Sequence, residues 1–115
     1  MYADTFTALA EPNRRRIVEL LRDGPRPVGE IAQRLHLRQP QASKHLKVLS
    51  QAGLVAVQPA ANQRIYQLQP KPFEELDNWV ETFRRAWEER LDKLDDYLKE
   101  LKTAQPADDA PQQEN

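Results

Sequence analysis

Apolar positions recur at helical spacing through the first half of the chain. Phe6, Leu9 and Ala10 mark a short first helix. Ile17, Leu20 and Leu21 repeat the i, i+3, i+4 pattern, Val28, Ile31, Ala32 and Leu35 extend it to i+7, and Ala42, Leu46 and Leu49 mark a further face. Prolines and glycines set the joints, because proline is tolerated at a helix start and not in its interior. Pro12 opens a helix after Glu11, Gly24, Pro25 and Pro27 separate that helix from the next, and Pro40 falls early in another. Gly53 suits a helix C-terminal cap. The period then shortens. Leu54-Val55-Ala56-Val57, ended by Pro59, and Arg64-Ile65-Tyr66-Gln67-Leu68 read as two strands of a hairpin with residues 59–63 between them. An isolated hairpin is marginal, so this one is expected to pack on the helices.

Pro70 and Pro72 are expected to precede the last helix. From residue 73 to 102 no proline or glycine intervenes, and apolar residues fall at Phe73, Leu76, Val80, Phe83, Trp87, Leu91, Leu94, Leu98 and Leu101. The steps alternate three and four except for two fours around Trp87, which predicts one long amphipathic helix with a local register shift. Residues 103–115 show no apolar period and are expected to be disordered. The predicted order is α-α-α-α-β-β-α, mainly helical with a small hairpin. A helix pair joined by a tight turn and followed by a hairpin is the winged helix-turn-helix layout. The expected organisation is one winged domain over 1–102, its last helix (73–102) serving dimerisation, and a tail.

The turn of the helix pair is His36-Leu37-Arg38, and the second helix begins near Gln39. A helix advances about 100° per residue. With Ala42, Leu46 and Leu49 inward, Pro40, Lys44, Lys47 and Gln51 point outward, and Gln41 and Ser43 lie on the flanks. Short polar and positive side chains at a helix start are those that can enter a major groove. Gln39 and Gln41 can pair with adenine edges, Ser43 can donate to a base or phosphate, and Lys44 can reach guanine or a phosphate. Lys47 is expected to hold the backbone. His45 falls near the apolar flank, where packing and DNA contact remain equally open. A solvated amphipathic helix would look similar in isolation; the tight turn and the following hairpin favour the DNA reading.

Charge adds to this picture. The net charge of −1 divides unevenly: residues 1–72 carry 11 Lys+Arg and 5 Asp+Glu, whereas residues 73–115 carry 6 and 13. A basic front half suits a polyanion. The chain has no cysteine, which removes disulfides, thiolate metal sites and thiol switching. No apolar run approaches the roughly 18 residues of a membrane span, and the first residues carry no secretory pattern, so a cytoplasmic protein is expected.

The run Ala8-Leu9-Ala10-Glu11-Pro12-Asn13-Arg14-Arg15-Arg16-Ile17-Val18-Glu19-Leu20-Leu21 resembles the opening of ArsR-family regulators. Val28-Gly29-Glu30-Ile31-Ala32 followed by Gln39-Pro40-Gln41-Ala42-Ser43-Lys44-His45-Leu46-Lys47-Val48-Leu49 is similar to their helix-turn-helix, and Ala52-Gly53-Leu54-Val55 to their entry into the wing. The resemblance spans about residues 5–100, in order. It implies a homodimer that binds near-palindromic double-stranded operators, usually as a repressor, with Gln39, Gln41, Ser43 and Lys44 on the recognition helix. Two departures stand out. Arg38 occupies a position where serine, a better N-cap, is common, losing a cap and gaining a potential phosphate contact. The wing carries one charge, Arg64, beside Asn62, Gln63 and Tyr66. Arg14, Arg15 and Arg16 can touch phosphate, or can be solvated or ion-paired.

Together these readings place Arg38, Gln39, Gln41, Ser43, Lys44, His45, Lys47, Arg64 and Tyr66 at DNA. They place Phe6, Leu9, Leu76, Val80, Phe83, Trp87, Leu91, Leu94 and Leu98 at a dimer interface. Metal sensors of the resembled family need thiolates on the first helix of the pair, or histidines with carboxylates on the last helix. Here the only histidines are His36 and His45, and the acid-rich stretch from Glu88 to Asp96 reads as a solvated face with pairs such as Glu89–Lys93. No metal or cofactor is expected, the closest resemblance is to the non-metal branch, some of whose members are autorepressors, and the effector is unknown. No phosphate-binding glycine loop, activated nucleophile or pocketed carboxylate set is evident, so enzyme activity is not expected. The alternative is a protein-interaction module that uses the long helix on a winged scaffold.

Overall fold

The computed structural model describes residues 2–104, with side chains from Asp4 onward. Its elements are α1 (Tyr2–Leu9), α2 (Pro12–Leu21), β1 (Arg26–Pro27), α3 (Val28–Leu35), α4 (Gln39–Gln51), β2 (Val55–Ala60), β3 (Gln63–Leu68) and α5 (Pro70–Ala104). The chain forms two compact units, divided between Asp77 and Asn78.

The helices begin and end where local chemistry requires. Glu11 caps α2, its Oε1 accepting from the Arg14 N–H at 3.0 Å, with Pro12 directly after it. α3 ends with His36 left-handed at φ 57°, and the Leu37 N–H closes back on the Ala32 carbonyl at 2.9 Å. α4 ends in the same way at Gly53 (φ 81°), with Leu54 N–H bonded to the Leu49 carbonyl at 2.9 Å. This six-to-one closure satisfies carbonyls that have no helical partner, and a residue in the left-handed region makes it possible.

Three joints differ from the sequence reading. A third strand, β1, pairs antiparallel with β3 (Arg26 opposite Tyr66, Pro27 opposite Ile65), so the sheet has the order β1-β3-β2. Pro59 does not end β2: it lies inside the strand, opposite Arg64, and the turn shrinks to Ala61-Asn62. β2 is an edge strand, where a residue without an N–H is tolerated. Pro70 and Pro72 lie inside the first turn of α5 rather than before it. The first N–H groups of a helix have no intrahelical acceptor, so proline forfeits nothing there. At its other end α5 runs on through Thr103 and Ala104; the rest of the expected disordered tail, 105–115, falls outside the described residues.

The core of the first unit brings α1 to α4 and the sheet together. Ala8, Ile17, Leu21, Ile31, Leu46, Leu49, Leu54, Val55 and Tyr66 form one buried cluster, with Leu9, Val28, Leu35, Leu68 and Phe73 packed against it. Ile17, Ile31, Leu46, Leu49 and Leu54 are fully buried. At about 1.5–3 kcal/mol for each large side chain, this cluster holds α4 in place against α3. Glu30 on α3 pairs with Arg26 and, at 3.1 Å, with Arg34.

The described part of the second unit is helical, the continuation of α5. Its apolar stripe is half-exposed, from Val80 at 40% to Trp87 at 59%. The Trp79 and Phe83 rings meet edge-on, 4.8 Å between centroids. Arg84 and Arg85 pair with Glu81, and Lys99 with Asp95 at 3.3 Å.

Candidate nucleic-acid interface

Helix α4 buries Ala42, Leu46 and Leu49 completely, which sets the rotation of every other side chain on it. Arg38, Gln39, Pro40, Gln41, Ser43, Lys44 and Lys47 are all exposed, as their spacing predicts. They do not form one undivided patch. Gln39, Ser43, Lys47, Ser50 and Gln51 line an open groove of about 620 Å3 whose other wall is the wing, with Val57, Arg64 and Tyr66. Ser50 was not singled out from the sequence; its position seven residues after Ser43 puts it on the same face.

Gln41 has a second role. The Arg38 N–H donates to Gln41 Oε1 at 3.1 Å, so this glutamine satisfies a main-chain group at the start of α4. The reciprocal bond of a capping box needs an acceptor at the N-cap, and the Arg38 guanidinium has none. The cap lost by having arginine in place of serine is thus partly restored by Gln41, whose amide NH2 still has donors to offer.

His45 is half-buried on the flank of α4, near Glu11. Desolvation pushes the Glu11 carboxyl up. Main-chain N–H bonds from Arg14 and Asn13, with the nearby His45 and Arg14 charges, outweigh it and hold the group below its ordinary value.

On the wing, Arg64 and Tyr66 share one face of β3, since side chains two apart point the same way. Arg64 near the hairpin tip is exposed, whereas Tyr66 is 8% exposed and belongs to the core cluster. The expectation of Tyr66 as a DNA contact is therefore corrected: its side chain packs into the core cluster, though it also lines the groove with Arg64 as part of one wall. Of the expected interface residues, Phe6 is 41% exposed and Leu9 and Leu76 are half-buried. Val80, Phe83, Trp87, Leu91, Leu94 and Leu98 are exposed along the helix of the second unit. Among the described residues no group of three His, Asp or Glu side chains is placed to hold a metal ion, and no helix is long and apolar enough to cross a membrane.

A helix-turn-helix domain model matches residues 9–58, from the end of α1 into β2. The HTH-type transcriptional regulator Rv2034 of Mycobacterium tuberculosis is 51% identical over 65 residues, 56% of this chain and 61% of that protein, so the match spans about three fifths of the relative's length. The transcriptional repressor SdpR of Bacillus subtilis is 30% identical over 80 residues, 70% of this chain and 89% of SdpR. Among solved structures, the homodimeric winged helix-turn-helix DNA-binding domain of Mb0332 from Mycobacterium bovis, a possible ArsR-family regulator, matches with a TM-score of 0.62 at 27% identity, over 73% of this chain and 78% of that one. The chain belongs to the ArsR family. α3 and α4 are the helix pair within the span that the helix-turn-helix model matches, and α4 is the second helix of that pair in this ArsR-family protein.

Proposed function

We propose that the protein is a homodimeric, cytoplasmic transcriptional repressor that binds a near-palindromic operator through α4 and the wing. The observation that carries the proposal is the exposed polar face of α4. It combines Gln39 and Ser43, suited to base edges, with Lys44 and Lys47, suited to phosphate, on a helix clamped by three fully buried side chains. Arg64 extends the same surface on the wing. Arg38, at the N-terminus of α4, is placed for the backbone. The names of SdpR, a repressor, and of the Mb0332 domain, a homodimer, support the sign of regulation and the assembly.

A second copy of the chain is the partner that fits the α5 stripe. Val80 and Leu101, Phe83 and Leu98, and Trp87 and Leu94 are placed symmetrically about the step between Arg90 and Leu91. Two antiparallel copies bring each residue level with its counterpart, the geometry of an isologous, two-fold interface. That pairing also sets Arg84 near Asp95 of the second copy. The direct test is selection of duplexes from a random-sequence DNA pool by the purified protein. Enrichment of an inverted repeat supports the proposal; a pool that stays random after several rounds contradicts it.

A further inference from the structure

The three arginines at the start of α2 are engaged with main-chain carbonyls. Arg14 Nε donates to the Ala8 carbonyl at 2.6 Å and Nη2 to that of Thr7 at 3.2 Å. Arg15 Nη1 donates to the carbonyls of Leu9 at 2.7 Å and Ala10 at 3.1 Å. These carbonyls lie at the C-terminal end of α1 and in the residue after it, where the helical N–H partners run out; that of Thr7 also accepts from the Ala10 N–H at 3.2 Å. Arg16 reaches the opposite way. Its Nη1 is braced by Asn13 Oδ1 at 2.9 Å, and its Nη2 donates to the Leu35 carbonyl at 3.0 Å, 19 residues along the chain.

Leu35 is the last residue of α3, and the turn into the reading helix starts directly after it. His36 there is left-handed at φ 57°, a conformation disfavoured for a side-chain-bearing residue and kept only where its surroundings enforce it. Arg38 then opens α4, and Gln39, the first reading residue, comes next. The Arg16 bond ties α2 to the last carbonyl of α3, directly before this turn, and at the turn's other end the Gln41 side chain accepts from the Arg38 N–H.

We infer that Arg16 is a positioning residue for DNA reading: its guanidinium holds the last carbonyl of α3 and so fixes the turn that aims α4. This rests on the DNA-binding proposal above. Base-edge hydrogen bonds fail with displacements of well under an ångström, whereas phosphate attraction tolerates them. Loosening the turn therefore costs specific binding and spares non-specific binding.

The test uses Arg16→Gln and Arg16→Lys in the full chain. Affinity is measured by fluorescence anisotropy on the duplex enriched by the wild-type protein and on a scrambled duplex of equal composition, across a salt series. Arg16→Gln should weaken the enriched duplex about tenfold or more, with scrambled-duplex affinity and salt slope unchanged. Arg16→Lys, which keeps a long donor, should recover part of the loss. Equal loss on both duplexes, with the salt slope shallower by about 0.9, would show a phosphate contact and overturn the inference. Unchanged affinity for both duplexes alongside a lower melting temperature would overturn it too. Amide hydrogen exchange separates this outcome from failure of the DNA reading. Exchange at Leu37 should quicken about tenfold in Arg16→Gln even without DNA, and unchanged exchange removes the clamp.

Discussion

Leu94→Glu probes the dimer proposal with little risk to the fold. Leu94 lies in the second unit at 52% exposure, while the buried cluster and the residues packed on it extend no further along the chain than Phe73. Burying a leucine fully is worth about 1.5–3 kcal/mol, so the half still exposed offers about 1 kcal/mol per copy on association. The substitution removes that from both copies. It also places two carboxylates in an apolar seam, at roughly 2 kcal/mol each even with water reaching them. The sum is about 6 kcal/mol per dimer, or about four decades in the dissociation constant. Sedimentation equilibrium at micromolar concentration should show a wild-type dimer and a Leu94→Glu monomer, with the thermal transition of the first unit retained. A variant that sediments as the wild-type dimer does would refute the assignment of this stripe. Folded monomer should also bind the selected duplex far more weakly, because each copy then engages one half-site.

Lys47→Ala should weaken selected and scrambled DNA alike and make the salt slope shallower by about 0.9, the mark of one lost phosphate contact; anisotropy titrations at several salt concentrations read it. Gln41→Ala should cost about 1–3 kcal/mol on the selected duplex if its amide reads an adenine; equal loss on both duplexes would leave Gln41 only its cap to Arg38, seen at 3.1 Å. Ala61 has φ 54° in the hairpin turn, so Ala61→Gly should raise stability by up to about 1 kcal/mol in urea denaturation, the left-handed penalty less the entropy of glycine. Stoichiometric zinc or arsenite, added or chelated, should leave DNA affinity unchanged, since the chain has no cysteine; a metal-dependent change reversed by chelation would contradict that.

Much of the fold was legible because strong local signals agree. The 3.6-residue period of Ile17 to Leu21 and of Ala42 to Leu49 matches the observed burial, and Gly53 and Pro12 stand at the ends they mark. What escaped the sequence depends on tertiary context. β1 is two residues long and exists because β3 lies alongside it, which no alternation in Arg26-Pro27 announces. Pro59, Pro70 and Pro72 looked like boundaries, but an edge strand and a first helical turn each accommodate a missing N–H. Tyr66 looked like a wing contact because the hairpin was identified without knowing which face of β3 meets the helices. The carbonyl contacts of Arg14, Arg15 and Arg16 join α2 to the ends of α1 and α3, and so appear only once those helices are placed.

The central claim is that two copies of α4 read two half-sites of one operator. Hydroxyl-radical and methylation footprinting of the wild-type protein on its selected duplex test this most directly. The expected result is an inverted repeat contacted in two successive major grooves, with centres about one helical turn or 34–36 Å apart. A single contacted groove, or protection that does not differ between selected and scrambled duplexes, would contradict it.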